Sequence, residues 1–214
     1  GNIIVDFANS NLHVVGYSIP VDKWLDLDDL QKYIHSLPDQ PDAIPYVTSY
    51  YSRTWGFCLK HSQRERLERG VYRAVIKSKI FPGRMDYGEL IIPGIESKEV
   101  LLSTYICHPS MANNELSGPV VTAALAQWLT QKKDLKYTYR ILFLPETIGS
   151  IFYLSKNFKS LQKKVIAGYV LTCIGDERCF SFVPSRSGNT LSDRVAKHVL
   201  HHVDRGYKKY KFLD

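Results

Sequence analysis

The strongest constraint on the fold is a change in the pattern of apolar residues near residue 97. Beyond this point, apolar runs of strand length alternate with segments of helical periodicity. The predicted strands are 99–106, 139–144, 165–174 and 180–183, and the predicted helices are 117–130, 148–158 and 190–202. In the first helix, Val121, Leu125 and Trp128 recur at helical spacing. This alternation predicts an α/β domain with a largely parallel sheet covered by helices on both faces.

Residues 1–95 show a different pattern that predicts a small β-rich domain. Runs of β-branched and aromatic residues, separated by Pro, Gly and Asp, predict strands at 12–19, 44–51, 55–59, 72–80 and 88–93. Short helices are predicted at 27–36 and 63–68. The expected organisation is therefore a β-rich domain at 1–95 and an α/β domain at 96–214. The chain opens in a strand-like segment and stops abruptly, so we expect a piece of a longer protein, truncated at both ends.

The β-rich part carries a group of aromatic residues that permits two interpretations. The group comprises Tyr46, Tyr50, Tyr51, Trp55 and Phe57. These side chains could form a face on which a ligand stacks. They could equally be the apolar core of a small β domain, which is the more common role of such a group.

Composition excludes some classes of protein. With 44% hydrophobic and 12% aromatic residues, the chain can bury a core and is not a disordered polymer. The net charge of +7 comes from short, separated basic clusters, which favours a solvated basic surface over nucleic-acid binding. The four cysteines form no Cys-x-x-Cys pair, and no apolar run approaches the length of a membrane span. We therefore expect a cytoplasmic chain with no membrane partner; the sequence does not predict an oligomeric state.

Three predicted strands of the α/β domain end in a group that can bind metal or transfer a proton. These groups are His108, Glu146 and Asp176. Singly, each has a structural explanation: a hydrogen-bonded histidine, a charge at a helix start and a turn-capping aspartate. Because parallel strands end at one edge of a sheet, the three together indicate a site. Imidazole and carboxylate are zinc ligands, and a further carboxylate can accept a proton from water.

These residues and their flanking motifs resemble a known group of proteins. His108, Asn114-Glu-Leu-Ser-Gly118, the segment from Pro145 to Ser150 and the segment from Cys173 to Asp176 are similar to the zinc aminopeptidase and glutamate carboxypeptidase superfamily, which uses co-catalytic zinc. More closely, the whole chain resembles a bacterial family of unassigned function. That family combines an aminopeptidase-like domain with an inserted small β-rich domain, and its members are often associated with surface-polysaccharide biosynthesis.

The resemblance implies a fold and residue roles. The expected fold is a three-layer, aminopeptidase-like α/β domain with a mixed, mostly parallel sheet. His108 and Asp176 match zinc ligands, and Glu146 matches the general base. The position of the carboxylate that bridges the two metals is Asn114, and the second glutamate of the active pair is replaced by Thr147. The last ligand histidine of the superfamily would lie beyond this chain.

These departures favour a single zinc ion over a pair. A neutral amide oxygen at Asn114 cannot supply the charge that a bridging carboxylate gives to two dications about 3.5–4 Å apart. Glu115 could substitute for it by a one-residue shift of the loop. The expected function is a zinc-dependent hydrolase acting on a small peptide-like or amide-containing substrate. The alternative is a catalytically degenerate peptidase fold that serves as a binding or scaffold module linked to surface-polysaccharide biosynthesis.

Overall fold

The chain forms two compact units, Gly1–Gly83 and Arg84–Asp214. The computed structural model describes residues 2–50, 52–109 and 111–213. The boundary between the units therefore lies earlier than the boundary at residue 95 that the sequence pattern predicts. The difference arises because strand β5 (Gly88–Ile92) pairs with a strand of the second unit and so belongs to that unit. Tyr51 of the aromatic group lies outside the described residues.

The first unit is built from two short strand pairs. Strand β1 (Val21–Asp26) is antiparallel to β4 (Val71–Ile76), and β2 (Ile34–His35) is parallel to β3 (Phe57–Cys58). The short helices are α1 (Leu27–Leu30) and α2 (His61–Arg64), and the 3-10 turns are Asn11–His13 and Gln31–Tyr33. Their buried apolar side chains form one core: Val21, Leu30, Ile34, Trp55, Leu59, Ala74 and Ile76.

Several predicted elements of this unit were wrong. Residues 12–19 and the described part of the second segment, residues 44–50, are not strands and contribute the isolated bridges Val14–Phe57 and Gly16–Thr48. The predicted helix 27–36 ends as a strand, since the β-branched Ile34 pairs with β3. Strand β1 was missed because only Val21 at its start is fully buried, so it lacks the apolar alternation of a typical strand.

The second unit contains a four-stranded sheet in the order β5-β7-β6-β8. Strands β6 (Glu96–Tyr105), β7 (Tyr137–Leu144) and β8 (Val165–Val170) run parallel, and β5 is an antiparallel edge strand. A shorter parallel pair joins β9 (Ser181–Phe182) to β10 (Lys208–Lys209). The prediction of a mixed, mostly parallel sheet is confirmed.

Helices cover both faces of the main sheet. Helix α3 (Gly118–Thr130) packs Ala126 and Leu129 into a core with Ile141. Helix α4 (Ile148–Lys164) contributes Tyr153 and Leu161 to a second core that contains Leu142. Ile141 and Leu142 are neighbours in β7 and therefore point to opposite faces. Helix α5 (Leu191–Val203) follows after β9, and no helix in the described part of the chain is long and apolar enough to cross a lipid bilayer.

A buried carboxylate stabilises the start of α5. Thr190 and Asp193 form a capping box, and Asp193 is only 2% exposed. Its oxygens accept hydrogen bonds from the Ser185 amide at 2.7 Å and the Ser185 hydroxyl at 2.6 Å. They also accept hydrogen bonds from the amide and the hydroxyl of Thr190, both at 2.7 Å. Burial opposes ionisation, but the hydrogen bonds from Ser185 and Thr190 outweigh it and hold the pKa of Asp193 well below its usual range.

The replacement Asp193→Asn should lower the free energy of unfolding by about 1.5–3 kcal/mol near neutral pH, because charged hydrogen bonds are lost. Because the pKa of Asp193 is lower in the folded state than in the unfolded state, its ionisation stabilises the folded state. This stabilisation is complete above the unfolded-state pKa of about 3.9 and is lost as the pH falls below that pKa. The native chain should therefore lose more stability than the variant between about pH 5 and pH 2.

Urea unfolding followed by circular dichroism across this pH range measures both effects. Asp28→Asn, at an exposed position in α1, is the matched control. Equal pH dependence in the native chain and in Asp193→Asn would contradict the assignment.

Candidate metal and catalytic site

The parallel strands β6, β7 and β8 end at one edge of the main sheet, and the three predicted site residues follow these ends. The structure brings two of them together. His108 Nδ1 lies 3.7 Å from Glu146 Oε2. Asp176 does not belong to any group of three potential metal ligands found among the described residues.

Glu115 is the closest carboxylate to His108. Its Oε1 lies 2.7 Å from His108 Nδ1, and its Oε2 accepts a hydrogen bond from the Cys107 amide at 2.8 Å. Potential ligand atoms of Cys107, His108 and Glu115 all lie within 4.8 Å of one another. The sequence suggested Glu115 only as a substitute for Asn114 and did not suggest Cys107. The usable signal for Cys107 was its position beside His108 at the end of β6.

A π-helical segment, Ala112–Ser117, directs the loop side chains. Its wider turn places the buried Glu115 beside His108, while Asn113 points to the end of β8. Such segments are rare and often occur at functional sites. Gly118 then allows α3 to begin close to the sheet, since a Cβ there would lie 2.3 Å from the Leu171 carbonyl oxygen and 2.5 Å from Thr104 Oγ1.

Asn114 occupies the position at which the zinc aminopeptidase superfamily has the carboxylate that bridges its two metal ions. Asn114 Oδ1 is buried and has no hydrogen-bond partner in the part of the chain that the structure describes. A buried polar atom without a partner costs free energy unless a ligand, an ion or water satisfies it. Asn114 is therefore a candidate ligand by position, although its oxygen is neutral.

Asp176 contacts Arg178 and Asn113. The Arg178 Nη2 and Nε atoms lie 2.8 and 3.1 Å from its two carboxylate oxygens, and Asn113 Nδ2 lies 3.1 Å away. The hydrogen bond from the Arg178 side chain is the main cause that holds the pKa of Asp176 well below its usual range. The carboxylate is therefore ionised, but its charge is compensated locally by Arg178.

The backbone beside Glu146 is strained. Thr147 has φ 58° and ψ −72°, and the Ile148 amide donates to the Glu146 carbonyl at 2.6 Å, which is the geometry of a γ-turn with positive φ. Cys173, after β8, also has a positive φ of 51°. Side-chain-bearing residues avoid this region, and such strain is concentrated at functional sites. Strand β8 stops at Val170, before the predicted residue 174, and the positive φ of Cys173 is incompatible with a strand that continues to that residue.

The exposure of the site residues separates their possible roles. The side chains of His108 and Glu115 are 19% and 5% exposed, whereas that of Glu146 is 49% exposed. The Glu146 amide donates to Cys107 Sγ at 3.2 Å. Burial raises the pKa of the Cys107 thiol, which disfavours a nucleophilic thiolate. The arrangement thus offers the half-buried His108 and the buried Glu115, which can hold a cation, and the accessible Glu146 carboxylate, which can accept a proton.

Comparison with known proteins identifies relatives of this chain. A protein of Clostridium acetobutylicum named "Putative polysaccharide biosynthesis protein with aminopeptidase-like domain" is 42% identical over 97% of this chain and 47% of its own length. The crystal structure of a "putative peptidase" from Clostridium acetobutylicum matches with a TM-score of 0.94 and 42% identity, over 99% of this chain and 50% of that chain. The chain therefore spans about half the length of these relatives.

The family assignment rests on a match over nearly the whole chain. The model of a domain of unknown function, DUF4910, matches residues 6–214. The resemblance to a family of unassigned function with an aminopeptidase-like domain is confirmed by this match and by the name of the relative. The chain belongs to the DUF4910 family.

Proposed function

We propose that this chain is the aminopeptidase-like part of an amide hydrolase that uses one divalent metal ion, with zinc as the expected ion. The observation that carries the proposal is the cluster of Cys107, His108 and Glu115 beside Glu146. It combines nitrogen, sulfur and oxygen donors, which are the atoms that zinc prefers in proteins. We further propose that the α/β unit has the three-layer arrangement of the aminopeptidases.

The residues present do not fit two metal ions. The bridging position holds the neutral amide of Asn114, and the second glutamate position holds Thr147. Neither supplies the negative charge that two adjacent dications require. One ion fits the donor set, because an ion between His108 and Glu115 would replace the hydrogen bond that now joins them.

Each residue has a distinct proposed role. His108 and Glu115 hold the ion, and Cys107 is a further donor within reach. A bound zinc ion supplies a Lewis acid that polarises the amide carbonyl. Glu146 accepts a proton from the attacking water, because its carboxylate is accessible and lies beside His108. Asp176 stays a predicted ligand, and to bind the ion it would give up its pair with Arg178.

The substrate proposed for the whole protein is a small peptide-like or amide-containing molecule. The name of the Clostridium acetobutylicum relative refers to polysaccharide biosynthesis, so an amide-bearing intermediate of a surface polysaccharide fits both parts of that name. We further propose that the protein acts in the cytoplasm and that neither nucleic acid nor a membrane is its partner.

A second candidate function is a binding or scaffold module. Two observations favour this function. Carboxylates are absent at Asn114 and Thr147, and the charge of Asp176 is compensated by Arg178. The two proposals differ in one respect that can be measured: a scaffold can bind an amide ligand without a metal, whereas the hydrolase requires one.

Zinc content is the decisive measurement. Full-length protein purified without added metal should contain about one zinc per chain, and His108→Ala and Glu115→Gln should each lose most of it. Elemental analysis after gel filtration measures the stoichiometry. Thermal unfolding with and without a chelator gives a second readout, since a bound ion stabilises the folded state.

The matched control is the double variant His198→Ala/His202→Ala in helix α5. These rings lie 4.5 Å apart and are the most plausible source of zinc bound elsewhere. The control should keep its zinc. Zinc that persists in His108→Ala, or that disappears in the control, would exclude the proposed site. A full-length protein that binds no zinc even in excess would leave the scaffold function.

A further inference from the structure

The first unit contains a second concave site that the proposed hydrolase does not use. A cavity of about 290 Å³ lies between the 3-10 turn that ends at Tyr33 and residues 47–49 and 52–55. Two aromatic rings and four hydroxyl-bearing side chains are among its lining residues: Tyr33, Trp55, Thr48, Ser49, Ser52 and Thr54. Its volume is close to the lower end of the range of small-molecule sites, about 300–1,000 Å³.

The aromatic part of the cavity is rigid. The Tyr33 and Trp55 rings stack at 4.0 Å with an interplanar angle of 10°. Trp55 is buried in the core of the unit, whereas Tyr33 is only partly buried. The predicted aromatic group therefore divides: Trp55 is buried in the core and Phe57 packs against it, whereas Tyr50 is exposed.

Two exposed tyrosines on strained backbone adjoin Ser49, which lines the cavity. Tyr17 and Tyr50 are 66% and 57% exposed, and their ring centroids lie 5.9 Å apart. Their φ angles are 64° and 40°, a region that bulky residues rarely occupy. Ser49, which lines the cavity, joins the two segments, since its hydroxyl lies 3.2 Å from the Gly16 carbonyl oxygen and 3.3 Å from that of Tyr17.

The charge of the cavity selects the class of ligand. None of its lining residues is acidic, and Lys32, which also lines it, is paired with Asp29 at 2.6 Å. The remaining polar groups are mostly hydroxyls, which both donate and accept hydrogen bonds. Aromatic faces beside hydroxyl groups suit a ligand with an apolar C–H face and a hydroxylated edge. A sugar ring has both features.

We infer that the cavity of the first unit, together with Tyr17 and Tyr50, is a saccharide-binding site for one sugar ring. The C–H face of the sugar packs against the exposed tyrosine rings, and its hydroxyls bind Thr48, Ser49, Ser52 and Thr54. The site lies in the unit without the metal cluster, so sugar binding does not depend on the proposed hydrolase. Loss of zinc through His108→Ala should leave it unchanged.

The test uses the fluorescence of Trp55. Trp24 and Trp128 are the two other tryptophans of the 214 residues and are exposed, so the background Trp24→Phe/Trp128→Phe removes their signal and keeps that of Trp55. The probes are the methyl glycosides of glucose, galactose, mannose and N-acetylglucosamine, titrated to about 50 mM, well above a Kd of about 1 mM. Saturation-transfer NMR detects the bound sugar protons independently.

The decisive variants remove the tyrosine rings without changing the backbone. Tyr17→Asn and Tyr50→Asn suit the test because asparagine tolerates positive φ better than most residues. Each should weaken binding about tenfold, whereas the thermal unfolding midpoint should not fall. Tyr210→Asn, which removes an exposed tyrosine of the second unit, should bind normally.

Two outcomes would overturn the inference. One is the absence of fluorescence and NMR signals with every glycoside. The other is binding that survives in the double variant Tyr17→Asn/Tyr50→Asn. Binding that disappears in these variants but persists in His108→Ala would support a saccharide site independent of the metal cluster.

Discussion

Replacement of Glu146 with glutamine should lower kcat for amide hydrolysis by a factor of about 10²–10⁴, because an amide cannot accept the proton of the attacking water. The side chain keeps its size and its place beside His108, so zinc content and KM should change little. The measurement uses the full-length protein with a panel of aminoacyl-p-nitroanilides, and elemental analysis of the same samples.

The matched control for this prediction is Glu177→Gln. Glu177 is an exposed glutamate next to Asp176, whereas the hydrogen-bond and ion-pair partners of His108 in the described part of the chain include Glu115 and Glu146. Glu177→Gln should retain full activity. If Glu146→Gln kept the native kcat while His108→Ala lost it, Glu146 would not be the base. If zinc-loaded native protein hydrolysed no member of the panel, the scaffold function would be favoured.

Removal of the buried charge of Arg140 should destabilise the second unit by about 3 kcal/mol, because the buried Glu99 carboxylate then keeps the half-exposed Lys164, 3.6 Å away, but loses its two hydrogen bonds from Arg140. Arg140 Nε and Nη2 donate to Glu99 at 2.6 and 3.0 Å, and Nη1 donates to Glu89 and to Tyr153 Oη. Arg140 and Glu99 are 8% and 2% exposed. The hydrogen bond from Arg140 is the main cause that lowers the pKa of Glu99, and burial raises the pKa of Tyr153 to about 12.

The test is urea unfolding of Arg140→Met, Glu99→Leu and the double variant. The double variant should recover much of the lost stability, because it leaves neither buried charge of the pair uncompensated. Arg73→Met is the control, since its pair with Asp22 is exposed and should contribute little. Strictly additive losses in the double variant would show that the two charges do not stabilise each other.

The α/β unit was the most predictable part of the fold. Helix α3 and strands β6 and β7 were found within a few residues of their ends, because long apolar segments with a clear period determine local structure strongly. The first unit was less predictable. Its strands are two to six residues long, and most of its chain forms loops held by single bridges such as Gly16–Thr48. Such structure depends on tertiary contacts that leave no periodic signal.

The candidate site divides in the same way. His108 and Glu146 could be placed at one edge of the sheet because parallel strands end together, and the structure puts them 3.7 Å apart. The pairing of Asp176 with Arg178 was not foreseen, since it depends on the conformation of a short loop after β8. The strain at Thr147 was also invisible, because threonine gives no warning of a positive φ.

The sequence by itself determined the alternation of strands and helices, the family and the ligand types available at the end of each strand. Residue type and spacing carry this information directly. The tertiary structure alone decided that Glu115 rather than Asn114 faces His108, and that the exposed rings of Tyr17 and Tyr50 come together. Both outcomes depend on a local change of backbone conformation, a π-helical turn in one case and positive φ angles in the other. A change of this kind rotates each following side chain, and only packing against distant residues selects it.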